Sequence, residues 1–316
     1  MEIIITPTFS DNWLITIAIG DSYYKNWKDN AYPTWSKYCK KYDIGLIVFK
    51  QILDQPNSNT WKKATWHKLL AANTMVENNI TNGNVLFLDS DIIISPFAKN
   101  IFDNYDNKKI AVVSSVQDLP QDLELTRRRI SFLRHTHIDE KYPLDSAIFM
   151  SPAEIFAYDN LPQFDNYFTA GVFVFNIKNH SDLLKSWYLK YKRGLTNITG
   201  GGDQPHLNYE FQNWGDLQWL PYSYQALWTY EISIKYPFLY NPSIRTEELT
   251  RHCIEASLYS HHFLHFAGSW SECDMWKIGG FFESKDSKSD ASDFDIYLET
   301  PVTGKPAGII KPDKNN

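Results

Sequence analysis

Apolar residues gather along this chain in short runs that do not alternate with polar ones. Residues 14–19, 45–49, 85–88, 110–115 and 168–176 are each apolar on both faces, the pattern of strands covered on two sides rather than strands with one wet face. Between the first runs the period changes to a helical one. Tyr24, Trp27, Tyr32, Trp35 and Tyr38 recur at helical spacing, with Pro33 expected to start or kink a helix, and Trp66, Leu69, Leu70, Asn73 and Val76 mark a helix within 65–78. Strand, helix, strand, helix, strand in that order predicts a mainly parallel sheet with right-handed crossovers.

The 85–88 run ends in Asp89, Ser90 and Asp91. Two carboxylates one residue apart therefore stand at the carboxyl end of a buried strand, where open α/β sheets bind ligands, and they can converge on one hard divalent cation. The plainer alternative is a polar turn.

Further along, residues 121–137 carry Arg127, Arg128, Arg129 and Arg134. They are either a solvated helix face or a segment that closes over a phosphorylated ligand. Ser181 is placed to cap a helix over 182–191. Gly200, Gly201 and Gly202 lead into Asp203 and Gln204, a loop whose backbone can approach a ligand closely. Residues 261–268 predict one more short strand ending at Gly268. Residues 284–295, almost all Ser, Asp and Lys, predict a linker or long loop, and 302–316 a short strand or tail. The expected organisation is one main domain over 1–283, with a donor half near 14–115 and an acceptor half near 165–283, then a 284–316 tail.

Composition narrows the partners. A net charge of −6 argues against a nucleic-acid binder, which needs a basic face to replace phosphate counterions. Aromatics reach 16%. Those between Trp214 and Tyr240 serve either as a sugar-stacking platform or as core. Cys39, Cys253 and Cys273 are odd in number and widely spaced, which fits a reducing compartment better than a disulfide framework. No apolar run has the length of a membrane span and the first ten residues lack a secretory pattern, so a cytoplasmic location without a transmembrane segment is expected.

Four segments together resemble retaining nucleotide-sugar glycosyltransferases of the GT-A fold, especially the glycogenin-like family and the xyloglucan xylosyltransferase and yeast galactosyltransferase family. They are Trp66-His67-Lys68-Leu69-Leu70, the Asp89-Ser90-Asp91 triplet after its apolar run, Thr169-Ala170-Gly171-Val172 with the strand that follows, and the pair Gly202-Asp203-Gln204 and His265-Phe266-Ala267-Gly268. The likeness runs from about residue 14 to 270.

That resemblance implies a Rossmann-like, mixed but mostly parallel sheet flanked by helices, and a donor that is a nucleotide-diphosphate sugar, uridine-linked in preference to guanosine-linked. The sugar transferred is a galactose, glucose or xylose, and the acceptor a glycan or other hydroxyl compound. It further implies Mn²⁺ or Mg²⁺ held by Asp91, Asp89 and His265, with Asp89 shared with the ribose. Lys68, Ser90, Gly171 and Gly268 would contact the donor, and Ala18, Ile19, Gly20 and Tyr23 its base. Asp203 and Gln204 would line the sugar. An amide is a poor nucleophile, so front-face transfer is preferred over a covalent intermediate, with Asp203 or Gln204 stabilising positive charge at the anomeric carbon.

The chain also departs from that pattern. Where the glycogenin-like families carry a Lys-Pro-Trp that touches the diphosphate, it has Ser269-Trp270-Ser271-Glu272. Lys277 or an arginine of the 127–134 group is the candidate replacement. Of the three clustered histidines, His265 alone has the Phe-x-Gly context, while His261 and His262 are equally well core residues. Two rival functions stand beside this one. A haloacid-dehalogenase-type phosphatase also uses Asp-x-Asp after a strand, but near the start of its chain. A non-catalytic sugar-binding protein of the same fold would be marked by lost metal ligands.

Overall fold

In the computed structural model, which describes residues 1–138 and 146–283, the two-faced apolar runs lie side by side in one sheet. β1 (Glu2–Ile5) and β2 (Trp13–Ile17) lead into α1 (Asp21–Asn26), one π-helical turn (Trp27–Ala31) and α2 (Tyr32–Tyr42). After β3 (Gly45–Phe49) come α3 (Lys68–Glu77), β4 (Asn84–Leu88), β5 (Ile92–Ile94) and β6 (Ile110–Ser114). The helices α4 (Leu123–His137), α5 (Ser146–Phe149) and α6 (Pro152–Tyr158) precede β7 (Phe168–Asn176) and α7 (Ile177–Lys190). Then follow α8 (Gln204–Trp214), β8 (Leu217–Leu220), β9 (Ala226–Leu227), α9 (Trp228–Lys235), α10 (Glu247–Leu258) and β10 (Phe263–His265).

Seven strands form the large sheet in the order β1-β3-β2-β4-β7-β6-β8. Its centre, β3-β2-β4, is parallel, as is the β6–β8 pair, whereas β1–β3, β4–β7 and β7–β6 are antiparallel. This is the mixed α/β sheet expected. β4 sits parallel to β2 on one flank and antiparallel to β7 on the other, and both faces are covered. On one face α3, the 3-10 turn before it (Ala64–His67) and α7 pack Trp66, Leu69, Met75, Leu184 and Trp187 into the same core as Phe87 and Phe173. Those two rings stack at 5.0 Å across β4 and β7 and help fix the register of the pair.

A second sheet, β5-β10-β9, was not foreseen. Ile92, Ile93 and Ile94 continue the chain after the carboxylates and are buried. They pair antiparallel with β10, His265 opposite Ile92. The Asp89-Ser90-Asp91 triplet is therefore the crossing between two sheets. Each end is held by a ladder, and that fixes its two carboxylates far better than a free loop would.

Pro33 starts a helix, as expected: it lies in the first turn of α2. One local expectation changes. The helix expected at 182–191 starts earlier, at Ile177, and its cap is Asn176 rather than Ser181: the Asn176 carboxamide accepts the Asn179 N–H, and Ser181 is buried within the helix. The edge strands β1 and β8 are only partly buried, so no two-faced apolar run announced them. Met1–Phe281 forms one compact unit. The linker and tail expected over 284–316 lie outside the described residues.

Candidate active site

The site is assembled by four strands and two helix starts. Asp89 leaves β4 with its N–H donated to the Gly171 carbonyl of β7 (2.8 Å), and the Asp91 carbonyl accepts the Phe266 N–H just beyond β10 (3.1 Å). These backbone bonds bring His265 against the triplet: its Nε2 lies 3.3 Å from Asp91 Oδ1 and 3.9 Å from Asp89 Oδ2. One ligand atom from each of Asp89, Asp91 and His265 lies within 4.8 Å of the other two. Gly171 makes room for this. A Cβ there would run into the His265 ring and lie 2.9 Å from Asp89 Oδ2, so only glycine lets β7 pass so close.

Lys68, at the start of α3, reaches in from the other side and is 3% exposed. Its Nζ donates to the Ala170 carbonyl (2.7 Å) and sits 3.3 Å from Asp89 and 3.2 Å from Asp203. Asp203, just before α8, is 5% exposed, and its Oδ2 receives this charge attraction without an aligned hydrogen bond. Gln204 follows, its Oε1 accepting the Ala170 N–H (3.3 Å). One lysine thus holds together a carboxylate of the β4 exit and the carboxylate after the glycine loop.

That loop is itself anchored. Asn197 Oδ1 accepts from the Thr199 and Gly201 N–H groups and its Nδ2 donates to the Gly202 carbonyl. The Trp66 indole donates to the Gly201 carbonyl (3.1 Å). Trp66 and Lys68 therefore fix the loop and Asp203 from adjacent positions of one chain segment.

Charge compensation shapes the ionisation of the cluster. Burial, opposed by the Lys68 ammonium and reinforced by the adjacent Asp91, holds Asp89 above the ordinary carboxylate range. Asp91 goes the other way: burial opposes its charge, but the facing His265 imidazole outweighs it and lowers the carboxyl. For Lys68, burial alone would lower the ammonium, yet Asp203 and Asp89 more than offset it and raise it. Asp91 Oδ1 is buried and accepts no aligned hydrogen bond. A buried acceptor of this kind beside a second carboxylate and an imidazole suits a divalent cation, and the O, O, N donor set suits Mn²⁺ or Mg²⁺, the imidazole favouring Mn²⁺.

Three cavities adjoin the site, two of them sharing Gly268. The largest, about 610 Å³, is bounded by Lys68, Asp89, Asp91, Asp203, His265 and Trp270. A second, about 280 Å³, opens from the same carboxylates towards Ile17, Ile19, Tyr23 and Ser90. A third, about 200 Å³, lies beyond Gln204 among Thr169, Tyr167, Thr229 and Tyr230, and contacts Gly268 as the first does. Tyr23 is 69% exposed at the rim. Ala18 is wholly buried with its N–H donated to Phe49, and Gly20 stands at a φ of 95° where α1 begins.

The sequence model of the family described as glycosyl transferase family 8 matches residues 10–272, most of the chain. The chain belongs to glycosyltransferase family 8. Among curated proteins, none matches its sequence. Similar solved structures include a glycosyltransferase involved in glycosylation of the major capsid of PBCV-1 (10% identity, TM-score 0.48, 84% of this chain and 97% of that one). The galactosyltransferase LgtC with donor and acceptor sugar analogs is 14% identical, with a TM-score of 0.42 over 86% of this chain and 94% of that one. Mouse xyloside xylosyltransferase 1 is 12% identical, with a TM-score of 0.37 over 80% and 96%. This family 8 chain is thus a glycosyltransferase that uses a nucleotide-sugar, and the phosphatase reading of its Asp-x-Asp is set aside. No helix among the described residues is long and apolar enough to cross a membrane.

Three of the arginines of this glycosyltransferase have three different environments. Arg134 is buried and paired with Glu272 (2.7 Å) under the Trp270 ring. Arg127 is spent on the Ile148 and Met150 carbonyls, while Arg128 pairs with Glu124 at the surface. Lys277 pairs with Asp274 (2.5 Å) and borders a cavity shared with Tyr23, Ser90, Asp91 and Ser269. His261 faces Glu231 (3.2 Å), and His262 packs on Tyr224, burial lowering its pKa to about 4. Both lie away from the cation cluster. Of the aromatics between 214 and 240, Tyr222, Trp228 and Tyr240 are core, and Tyr230 borders the cavity beyond Gln204. Sequence reasoning missed Asn197 and Gln225; Thr169 and Trp270 stand within segments it named, but neither had a role of its own. Asn197, just ahead of a glycine run, carried a local signal.

Proposed function

We propose that the chain transfers a hexose or pentose (galactose, glucose or xylose) from a uridine-diphosphate sugar to a glycan or other hydroxyl acceptor, with retention. The reading divides the molecule into a donor half near 14–115 and an acceptor half near 165–283. The observation that carries it is the convergence of Asp89, Asp91 and His265 beside the Lys68–Asp203 pair. A bound Mn²⁺ or Mg²⁺ would neutralise the departing diphosphate as a Lewis acid. Ser90 and Asp89 border the slot with Ile19 and Tyr23, whose mixed apolar and polar lining is supportive of a nucleoside. We assign Lys277 to the diphosphate because it borders a cavity with Ser90 and Asp91 and its partner Asp274 is exposed, whereas Arg127 and Arg134 are bound to carbonyls and to buried Glu272.

Asp203, held by Lys68, lines the largest cavity, and Gln204 stands between it and the cavity near Tyr230. An acceptor hydroxyl arriving from the Tyr230 side would meet the anomeric carbon at Gln204. In front-face transfer the bond from that carbon to the diphosphate breaks as the acceptor oxygen bonds on the same face, and the acceptor proton passes to the leaving phosphate oxygen. Asp203 and the Gln204 amide would then stabilise the positive charge that builds at the anomeric carbon. Three free, buried thiols support a reducing, cytoplasmic setting.

The test is hydrolysis and transfer with Mn²⁺ across uridine and guanosine donors. Uridine donors should turn over, Asp91→Asn should abolish turnover, and Asp203→Asn should lower it strongly. No turnover with any donor would favour a sugar-binding protein, and a fully active Asp91→Asn would remove the cation site from the reaction.

A further inference from the structure

The largest cavity is walled mostly by polar and small side chains, with one large ring among them. Trp270 is the single aromatic side chain that borders it among the described residues, facing the same space as Lys68, Asp89, Asp91 and Asp203. It borders none of the neighbouring spaces: not the slot at Ile19 and Tyr23, not the cavity beside Lys277, and not the one beyond Gln204. Whatever meets this ring therefore lies at the carboxylates, away from the nucleoside slot and from the acceptor side.

The ring is also held in place. Arg134 of α4 lays its guanidinium over it, with Cζ 4.4 Å from the ring centroid. That guanidinium is fixed in turn, because Nε and one terminal nitrogen each lie 2.7 Å from the same Glu272 oxygen, to which the Tyr240 hydroxyl also donates (3.3 Å). Arg134 and Glu272 are both buried. A buried pair is weak evidence for stability, since apolar side chains of similar volume often serve as well. What this pair supplies is placement: α4 and the turn after Gly268, far apart in sequence, together set the plane of Trp270 before any ligand arrives. With one face under the guanidinium, the ring meets the cavity at its other face or its edge.

A pyranose carries hydroxyls around its rim and C–H groups on its faces. A carboxylate accepts from the rim, whereas an aromatic ring buries a C–H face. That contact is burial and dispersion, so a guanidinium on the far side of the ring does not oppose it.

We propose that Trp270 is the wall for the donor sugar, packing on the C–H face of the ring whose hydroxyls Asp203 receives. The inference rests on the nucleotide-sugar reading above.

The experiment is titration calorimetry on the full chain with Mn²⁺ present, using uridine diphosphate and its galactose, glucose and xylose conjugates, in wild type, Trp270→Ala and Trp270→Leu. The conjugate that wild type binds tightest is the probe. Trp270→Ala should raise its Kd about tenfold, the worth of one buried aromatic contact, and that of uridine diphosphate by less than about twofold. Trp270→Leu keeps apolar bulk without a flat ring and should lose most of the same affinity. Equal weakening of uridine diphosphate and the conjugate would put the ring on the diphosphate and overturn the inference, as would wild-type affinity for the conjugate in either folded variant. A wild type that binds neither compound overturns the nucleotide-sugar reading itself, and the inference with it. If Trp270→Ala fails to fold, Trp270→Leu decides alone.

Discussion

Replacing Lys68 by methionine probes the site where its electrostatics are strongest. Methionine keeps most of the volume and removes the charge, so the change isolates the ammonium that stands 3.2 Å from Asp203 and 3.3 Å from Asp89. At an effective dielectric constant near 20, a pair at that distance attracts by about 5 kcal/mol. The Asp203 side chain is 7% exposed and that of Asp89 is 35% exposed, so screening discounts the second pair and the first dominates. Removing one partner of a buried pair costs about 3–5 kcal/mol, because the remaining charge is left without compensation. The expected loss at pH 7 is in that range.

The pH dependence separates this from a packing effect. A carboxylate stripped of its cation in a dry site takes up a proton instead of staying charged, and the folded variant then binds that proton more tightly than its unfolded chain. Its stability rises relative to wild type as pH falls, by up to about 1.4 kcal/mol per pH unit. Over the same range the wild-type Lys68, held above its ordinary value, stays fully charged. The assay is urea unfolding followed by tryptophan fluorescence at pH 7 and pH 5. A cost below about 1 kcal/mol, or one that is the same at both pH values, would refute the buried-pair reasoning.

Two further expectations follow from the same structure. Arg134→Met should cost about 3–5 kcal/mol because it strands Glu272, while Arg134→Met with Glu272→Leu should recover most of that, since both charges are gone; a double variant no more stable than the single one would show that the pair's geometry, not its uncompensated charge, matters. His206 is packed between Tyr191 and Trp66, and burial lowers its pKa to about 4, so its contribution is complete above about pH 6.5 and is lost as pH falls towards 4, by about 3 kcal/mol at most. His206→Phe should flatten that part of the urea-stability curve between pH 7 and 4.5, and an unchanged slope would assign the acid sensitivity to other groups.

The sequence by itself determined the parts that depend on local pattern. Runs such as 45–49 and 168–176 are apolar on both faces, and a two-faced run has nowhere to go but the middle of a covered sheet. Asp89 and Asp91 were legible because they interrupt such a run at its exit, and Lys68, Asp203, Gln204 and His265 because each sits in a short recognisable context. What those contexts could not contain is distance.

That Lys68 bridges Asp89 and Asp203 follows from α3 and the glycine loop meeting over β4 and β7. That Ile92–Ile94 belongs to a second sheet follows from its pairing with β10, which comes about 170 residues later and brings His265 to Asp91. The arginines show the same limit. Arg127, Arg128 and Arg134 look alike along the chain, yet one binds carbonyls, one faces solvent and one is buried on Glu272, because the helix turns Arg128 outward and carries Arg134 about two turns beyond Arg127 to a different neighbour. Residues like Gln225, whose side chain contacts Thr169 of one sheet and His265 of the other, leave no trace in sequence pattern. Their partners are set by how distant strands come together, and only the tertiary structure decides that.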